Sequence, residues 1–238
     1  MGTLITIKQE RTMQTFSIQD FFAKRFETES TQLLLENPSI FSVEAMENYI
    51  CIITEIPLQE YINYSQAHPL CSEITSKDIT QLSSIEDCTI NMCNLMIERG
   101  NCGLSLPEIA SGLHADNNYK DNLVALTKYG ENQVKTASQL GLSVFWKDLW
   151  YLTSVGYVFP QLKDEQRYKY LAINLIRDPF YNRVIDSLCK RDTCLMDFMG
   201  ILSESTQKRR SSSCSRVISF FISQCRCEGV NIYSLKSK

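Results

Sequence analysis

Several features that catalytic and membrane proteins commonly use are scarce or absent in this sequence. No run approaches the ~20 consecutive apolar residues that a membrane-spanning helix needs, and the first residues lack the basic-then-apolar order of a secretion signal. The chain has only two histidines and nine glycines, and the glycines form no phosphate-binding loop. We therefore expect neither a membrane partner nor a nucleotide cofactor.

Cysteine is abundant, with ten residues, but no pair has the C-x-x-C spacing that is typical of zinc sites. Because no export signal precedes them, the cysteines are predicted to be reduced thiols. The expected location is the cytoplasm, and neither a metal nor another cofactor is predicted.

The charge of the chain is unevenly divided between its halves, although the net charge is only −3. Residues 1–120 carry a net charge of −9, whereas residues 121–238 carry +6. A basic half suits a polyphosphate partner, because each phosphate that a cation neutralises releases counterions. A chance imbalance between solvated faces is the alternative interpretation. Hydrophobic residues make up 44% of the chain, which is enough for a packed core.

The first of three predicted segments, residues 1–85, is an acidic α/β segment. A helix is expected over residues 16–35, where Asn37-Pro38 ends it. The β-branched run at residues 49–56 predicts a strand, and the polar run at residues 72–84 predicts turns or a linker. No catalytic signature occurs here, so we expect a region of protein contact, either for a homodimer or for a nuclease partner.

The second segment, residues 86–159, follows the order of a winged helix-turn-helix. Helices are predicted over residues 90–97, over residues 104–112 with Pro107 in the first turn, and over residues 131–142. Two aromatic runs around Gly156 then predict a small β-hairpin.

The third segment, residues 160–238, repeats this order loosely. We predict four helices and a closing strand, at residues 163–176, 178–189, 194–202, 203–226 and 230–235. Asp178 and Ser203 are the expected N-caps of the second and fourth of these helices. The predicted fold is mainly α with small β-hairpins: two winged helix-turn-helix modules in tandem, plus the N-terminal α/β segment.

The long basic helix that begins at Ser203 has the most informative pattern. At ~100° per residue its apolar side chains share one face, and the opposite face carries Ser205, Arg209, Ser212 and Arg216, flanked by Lys208. Arginine and serine side chains suit phosphates and base edges, so this face is predicted to bind DNA. A solvated helix face is the alternative. Arg210 lies beside the apolar face and is predicted to form a structural salt bridge.

A second candidate surface lies on the helix over residues 131–142. Asn132, Lys135, Thr136 and Gln139 share its polar side, and such side chains pair with base edges and phosphates. An ordinary amphipathic helix would show the same pattern. The nearby aromatic residues either stack on bases or belong to the core; they are Trp146, Trp150 and Tyr151.

These segments resemble the tandem winged-helix DNA-recognition region of several type II restriction endonucleases and related bacterial restriction–modification proteins. The resemblance covers residues 86–238 and rests on three motifs: Gln133 to Leu142, Tyr151-Leu-Thr-x-x-Gly156, and Thr206-x-Lys-Arg-Arg-x-Ser-Ser with Arg216, Ile218 and Phe221. Gln133-Val134 replaces an expected aromatic pair, and phenylalanine replaces an expected tryptophan in the last helix. The resemblance implies recognition of double-stranded DNA by two modules and does not by itself imply cleavage.

A nuclease centre is not evident in the chain. Metal-dependent nucleases place acidic residues and a lysine on adjacent strands, but Glu44, Glu47, Glu55 and Glu60 have no lysine among them. The two histidines, His68 and His114, lie in loop-like contexts and are expected to be structural or solvated. The sequence therefore argues against catalysis.

Three hypotheses follow. The first is a non-catalytic DNA-binding protein, the sequence-recognition component of a restriction–modification system or a transcriptional regulator. The second is a complete type II restriction endonuclease with a degenerate metal site in the first segment. The third is a winged-helix adaptor that binds proteins instead of DNA.

Overall fold

The computed structural model describes residues 5–9, 12–70, 72–79, 84–113 and 122–236, and these residues are mainly helical. The helices are α1 Ile18–Phe22, α2 Arg25–Glu36, α3 Val43–Glu55, α4 Leu58–Ala67, α5 Met92–Glu98, α6 Leu106–Gly112, α7 Leu123–Gln139, α8 Ser154–Val158, α9 Asp164–Arg177, α10 Pro179–Leu188 and α11 Glu204–Cys227. The strands are β1 Ile5–Gln9, β2 Thr12–Phe16, β3 Ser143–Trp146, β4 Leu149–Leu152, β5 Thr193–Cys194 and β6 Leu235–Lys236. Short 3-10 turns lie at Pro38–Ile40, Phe159–Gln161 and Leu195–Phe198, and a π-helical turn, Asp87–Asn91, leads into α5.

The first segment begins with the antiparallel hairpin β1–β2 and continues with α1 to α4. The helix predicted over residues 16–35 is present as α1 and α2, which are separated where Lys24 takes a positive φ of 55°. Helix α2 ends at Glu36, directly before Asn37-Pro38, as predicted.

The strand predicted over residues 49–56 is wrong, because this run lies inside α3. Its buried residues, Met46, Tyr49, Ile50 and Ile53, follow the spacing of one helix face. The backbone N–H of Ala45 donates to Ser42 Oγ at 3.1 Å and caps the first turn. Burial of this face against the core outweighed the β propensity of the branched side chains.

Helices α5, α6 and α7 and the hairpin β3–β4 follow one another as the sequence predicts. Helices α6 and α7 approach so closely at Gly130 that a Cβ on this residue would lie 2.1 Å from the Leu106 carbonyl oxygen. Leu104, which precedes α6, exchanges two backbone hydrogen bonds with Trp150 of β4, at 2.9 and 3.0 Å. This isolated antiparallel bridge joins the residue before α6 to the edge of the hairpin.

The hairpin turns at Lys147-Asp148, both with positive φ, and not around Gly156 as predicted. Gly156 lies inside α8, which Thr153 caps by accepting the Gly156 N–H at 3.0 Å. A Cβ on Gly156 would lie 2.0 Å from the Leu142 carbonyl oxygen, so glycine serves a close backbone approach here rather than a turn.

The third segment is organised around α9, whose residues from Tyr170 to Arg177 are all buried. Asp178 Oδ1 accepts the backbone N–H groups of Phe180 and Tyr181 at 2.9 and 3.0 Å, which confirms the predicted cap of α10. The long helix is also confirmed as α11, and Ser203 occupies the N-cap position. The Ser203 hydroxyl makes no capping bond, however, and donates to the Thr206 hydroxyl at 2.9 Å.

The end of the chain differs from the prediction. The helix expected over residues 194–202 is reduced to a 3-10 turn, and the closing strand is reduced to β6, which pairs in parallel with β5. Within the described residues, no antiparallel hairpin follows α11. The described part of the third segment is thus helical with one short parallel strand pair, and it lacks the hairpin expected of a second winged helix.

A single hydrophobic core runs through all three segments. At its polar centre, Arg177 Nη2 of α9 lies 2.7 Å from Glu27 Oε2 of α2, with both side chains nearly inaccessible to solvent. The hydroxyls of Tyr49 and Tyr170 donate to Glu27 Oε1 at 3.2 and 3.3 Å, and burial raises the pKa of both tyrosines. The three segments are therefore joined by shared contacts, and their division into domains stays a prediction.

Candidate nucleic-acid interface

Helix α11 is anchored by one face. Its buried residues are Ser213, Cys214, Val217, Ile218, Phe221, Ile222 and Cys225, which recur at the three- and four-residue spacing of a helix stripe. Burial raises the pKa of the Cys214 thiol to about 12, so this cysteine is a neutral core residue. This face confirms the apolar side that the sequence predicted.

The opposite face of α11 carries the predicted DNA-binding residues, and all five are solvent-exposed together. We call this face the basic stripe; it comprises Ser205, Lys208, Arg209, Ser212 and Arg216. Ser219 and Arg226 are also exposed on this face nearer the end of the helix, and we include them in the basic stripe. Because a helix rises 1.5 Å per residue, the cations from Lys208 to Arg226 extend over about 27 Å.

The charge of the basic stripe is not balanced within its own helix. The acidic residue of α11 is Glu204 in its first turn, and no aspartate or glutamate occurs between Ser205 and Cys227. Lys208 and Arg209 form no ion pair with any residue that the structure describes. Burial and the positive charge of Arg209 both lower the pKa of Arg210, which shows like charges acting on one another. An anion beside this face would relieve that repulsion.

Arg210 points away from the stripe and is structural, as predicted, but its partners are not carboxylates. Nη1 donates to the carbonyl oxygen of Ser76 at 2.7 Å and also to that of Ile79. Nε is buried and has no hydrogen-bond partner among the described residues. The predicted salt bridge is therefore replaced by bonds to backbone carbonyls of the segment before α5.

The four predicted residues of α7 are divided between solvent and interior. Lys135 is exposed and forms an ion pair with Glu131, and Asn132 is half-buried. Thr136 is only 3% exposed. The Gln139 amide donates to the carbonyl oxygen of Asp78 and, at 3.3 Å, to Asp178 Oδ2. Of the four residues, Lys135 is thus exposed, Asn132 and Gln139 are half-buried, and Thr136 is buried.

The aromatic residues of the hairpin form pairs on its two sides. Phe145 and Trp150 lie 5.3 Å apart between ring centroids, and Trp146 and Tyr151 lie 5.4 Å apart. The Tyr151 ring packs where a Cβ on Gly103 would be, 2.4 Å away, so this tyrosine belongs to the module's own packing. Phe145 is 56% exposed.

Lys147 lies at the tip of the hairpin and was not among the predicted site residues. It is exposed, and its Nζ lies 3.9 Å above the Trp146 ring centroid. The sequence signal that indicates it is the Lys147-Asp148 pair between two aromatic-rich runs, which places a polar turn there.

The residues that a metal-dependent nuclease would use are not gathered into a site. Glu44, Glu47 and Glu55 lie along α3 and Glu60 lies in the first turn of α4, so the strands that such a site requires are helices here. Among the described residues no group of three histidine, cysteine, aspartate or glutamate side chains is placed to hold a metal ion.

His68 is the histidine that the structure describes, and it lies against its own helix. His68 stacks on Tyr64 with 4.3 Å between ring centroids, and its Nδ1 lies 3.0 Å from the Tyr64 carbonyl oxygen. His114 lies outside the described residues. Every cysteine in the described part of the chain is a free thiol.

Comparison with known proteins found no protein-family model, curated protein or solved structure that matches this chain. Within the described residues, every helix is too short or too polar to cross a membrane.

Proposed function

We propose that this protein binds double-stranded DNA, with the basic stripe of α11 as its principal contact. One observation carries the proposal: Lys208, Arg209, Ser212 and Arg216 are exposed on one side of a helix that is anchored by its other side. Guanidinium and hydroxyl donors along one face match the phosphate and base acceptors of a groove.

The length of the stripe sets the size of the proposed contact. About 27 Å of helix, at about 3.4 Å per base pair, corresponds to about 8 base pairs of duplex. The side chains of Ser205, Ser212 and Ser219 are small, so they leave the helix backbone accessible between the arginines. The helix backbone can therefore approach a major groove, which is wide enough to admit one α-helix.

The second segment supplies a further proposed contact. The order α5, Leu104, α6, α7 and β3–β4, with the Leu104–Trp150 backbone pair, supports a winged-helix module. Exposed Lys135 on α7 and exposed Lys147 at the hairpin tip are its proposed phosphate contacts. For the third segment we propose a helical support for α11 that has no wing.

A binding titration tests the proposal. Fluorescence anisotropy with a mixed-sequence 24-base-pair duplex at two salt concentrations should show binding that weakens steeply as salt rises. The double variant R209Q/R216Q should bind much more weakly than the wild type. The control R25Q/K190Q removes the same charge from two exposed positions, one on α2 and one in the turn after α10, and should bind like the wild type. If both double variants weakened DNA binding equally, binding would depend on the net charge of the protein and not on the position of the charges on α11.

The biological setting rests on the resemblance described above. Within the proposed function, the protein serves as the recognition component of a restriction–modification system or as a transcriptional regulator, and its acidic first segment contacts a second copy or a nuclease. Incubation with plasmid and Mg²⁺ or Mn²⁺ separates this role from that of a complete endonuclease. Defined fragments that the wild type produces and that disappear in E44Q or E55Q would support the enzyme. Binding to a protein partner that is unaffected by salt concentration and by added DNA would support an adaptor.

A further inference from the structure

The segment 72–79, which the sequence predicted as part of a linker, is bonded to three helices. Its carbonyl oxygens accept hydrogen bonds from side chains on α7, α10 and α11, and we call it the strap. Thr75 closes a turn in its middle, because its N–H and hydroxyl both donate to Asp78 Oδ2, at 2.6 and 2.8 Å. Ile79, at the end of the strap, is fully buried in the core.

On one side the strap is held by α7. The Gln139 amide donates to the Asp78 carbonyl and also reaches Asp178 Oδ2, while the other carboxylate oxygen of Asp178 caps α10. A third helix contributes through Arg183 of α10, whose Nη2 donates to the Ser72 carbonyl at 2.9 Å. The C-terminal end of α7 is thus fixed to both the strap and α10.

On the other side the strap is held by α11. Arg210 Nη1 donates to the carbonyls of Ser76 and Ile79, which lie on either side of the Asp78 carbonyl that Gln139 binds. The negative charge of Glu131 on α7 also acts on Arg210 and raises its pKa, against the larger lowering by burial. Glu131 of α7 is therefore close enough to Arg210 for their charges to interact.

We propose that Arg210 is a positioning residue that holds the basic stripe of α11 at a fixed angle to α7, so that both helices engage one duplex. The proposal rests on the DNA-binding function proposed above. Two of the three guanidinium nitrogens of Arg210 face the interior, since Nη1 is bonded to the strap and Nε is buried. In the proposal Arg210 acts through the strap and not through DNA. Gln139, which the sequence analysis predicted to contact bases, holds α7 to the same strap through the Asp78 carbonyl.

The test compares two duplexes, one of 12 base pairs, only slightly longer than the about 8 base pairs that the basic stripe covers, and one of 24 base pairs that reaches both surfaces. R210M keeps the length of the side chain but removes its donors. It should leave affinity for the 12-base-pair duplex and its salt dependence within about twofold of wild type. Affinity for the 24-base-pair duplex should fall about tenfold, a size typical of coupling between neighbouring groups. R210K retains one donor group and should restore part of this loss.

Two variants separate positioning from other roles. R209Q, at the neighbouring exposed residue, should weaken binding to both duplexes and lower the salt slope by about one, as loss of a phosphate contact does. Q139L should reproduce the length-dependent loss of R210M, and the double variant Q139L/R210M should bind no more weakly than either single variant, because both cut the same connection. Q139L also preserves the test if R210M does not fold.

The remaining outcomes contradict either both proposals or the positioning role alone. If the wild type binds neither duplex at low salt, the DNA-binding function fails and the positioning role fails with it. If the wild type binds both duplexes but R210M weakens them equally, or if Q139L and R210M add, Arg210 is not a positioning residue and the basic stripe still binds DNA.

Discussion

Neutralising the two central arginines of the basic stripe should change how strongly DNA binding depends on salt. Each phosphate that a protein cation contacts contributes about −0.9 to the slope of log affinity against log salt concentration. With four exposed cations, Lys208, Arg209, Arg216 and Arg226, the stripe contributes a slope of about −3.6. The variant R209Q/R216Q retains two of them and should contribute about −1.8.

This difference is large enough to measure. Between 50 and 200 mM salt, the contribution of the intact stripe predicts a loss of affinity of about 150-fold, whereas that of the double variant predicts about 12-fold. Fluorescence anisotropy of a labelled 24-base-pair duplex, titrated at four salt concentrations, gives the two slopes directly. Both positions are exposed, so the free energy of unfolding should stay within about 0.5 kcal/mol of wild type.

The salt slope tests the proposed phosphate contacts more directly than the affinity at one salt concentration does. A misfolded fraction would lower the apparent affinity equally at every salt concentration and would leave the slope unchanged. A double variant with the wild-type slope would therefore refute the proposed phosphate contacts of α11, even if its affinity is reduced. The control R25Q/K190Q should retain the wild-type slope, because its charges lie on α2 and in the turn after α10 and not on the basic stripe.

Three further predictions concern the scaffold. Glu27→Gln should lower the free energy of unfolding in urea by about 3 kcal/mol or more, because the buried Arg177 loses its counter-charge; Glu29→Gln, on the exposed side of α2, should have little effect. Gly130→Ala should lower the melting temperature despite the better helix propensity of alanine, since the new Cβ would meet the Leu106 carbonyl; an unchanged or higher melting temperature would contradict the close approach of α6 and α7. Burial raises the pKa of Asp178 to about 6, so the folded state holds this proton more tightly than the unfolded chain. Relative to Asp178→Asn, the wild type should therefore lose up to about 3 kcal/mol of stability as pH rises from 4 to 7, and a difference that is constant with pH would exclude the raised pKa.

Helices with strong local signals could be predicted from the sequence. The bounds of α11, the cap of α10 at Asp178 and the start of α6 near Pro107 all depend on residues within one or two turns. The exposure of the basic stripe was predictable for the same reason, because the 3.6-residue period separates two faces of a long helix.

Short apolar runs and turns were less predictable. The β-branched run in α3 suits a strand or a buried helix equally well, and packing around Tyr49 and Ile53 selected the helix. The hairpin turn uses Lys147 and Asp148 with positive φ instead of glycine, so Gly156 misdirected the prediction. Both errors concern segments of four to eight residues, for which propensity alone is a weak guide.

The candidate site on α7 depended on residues that lie far away in the chain. Its sequence shows four polar residues on one side, but Gln139 bonds to Asp78, 61 positions earlier, and to Asp178, 39 positions later. Arg210 bonds to carbonyls more than 130 positions earlier. No local pattern indicates such partners, because backbone carbonyls are present at every residue and carry no sequence signal.

The amino-acid sequence by itself determined the helical character of the chain, the two faces of α11 and the cationic, acid-free side that this helix presents. Only the tertiary structure decided which side of α7 meets solvent, where the hairpin turns, and how the strap joins α7 to α11. The physical reason is that helix periodicity and capping are local interactions, whereas burial and side-chain bonds to distant carbonyls exist only once remote segments have packed together.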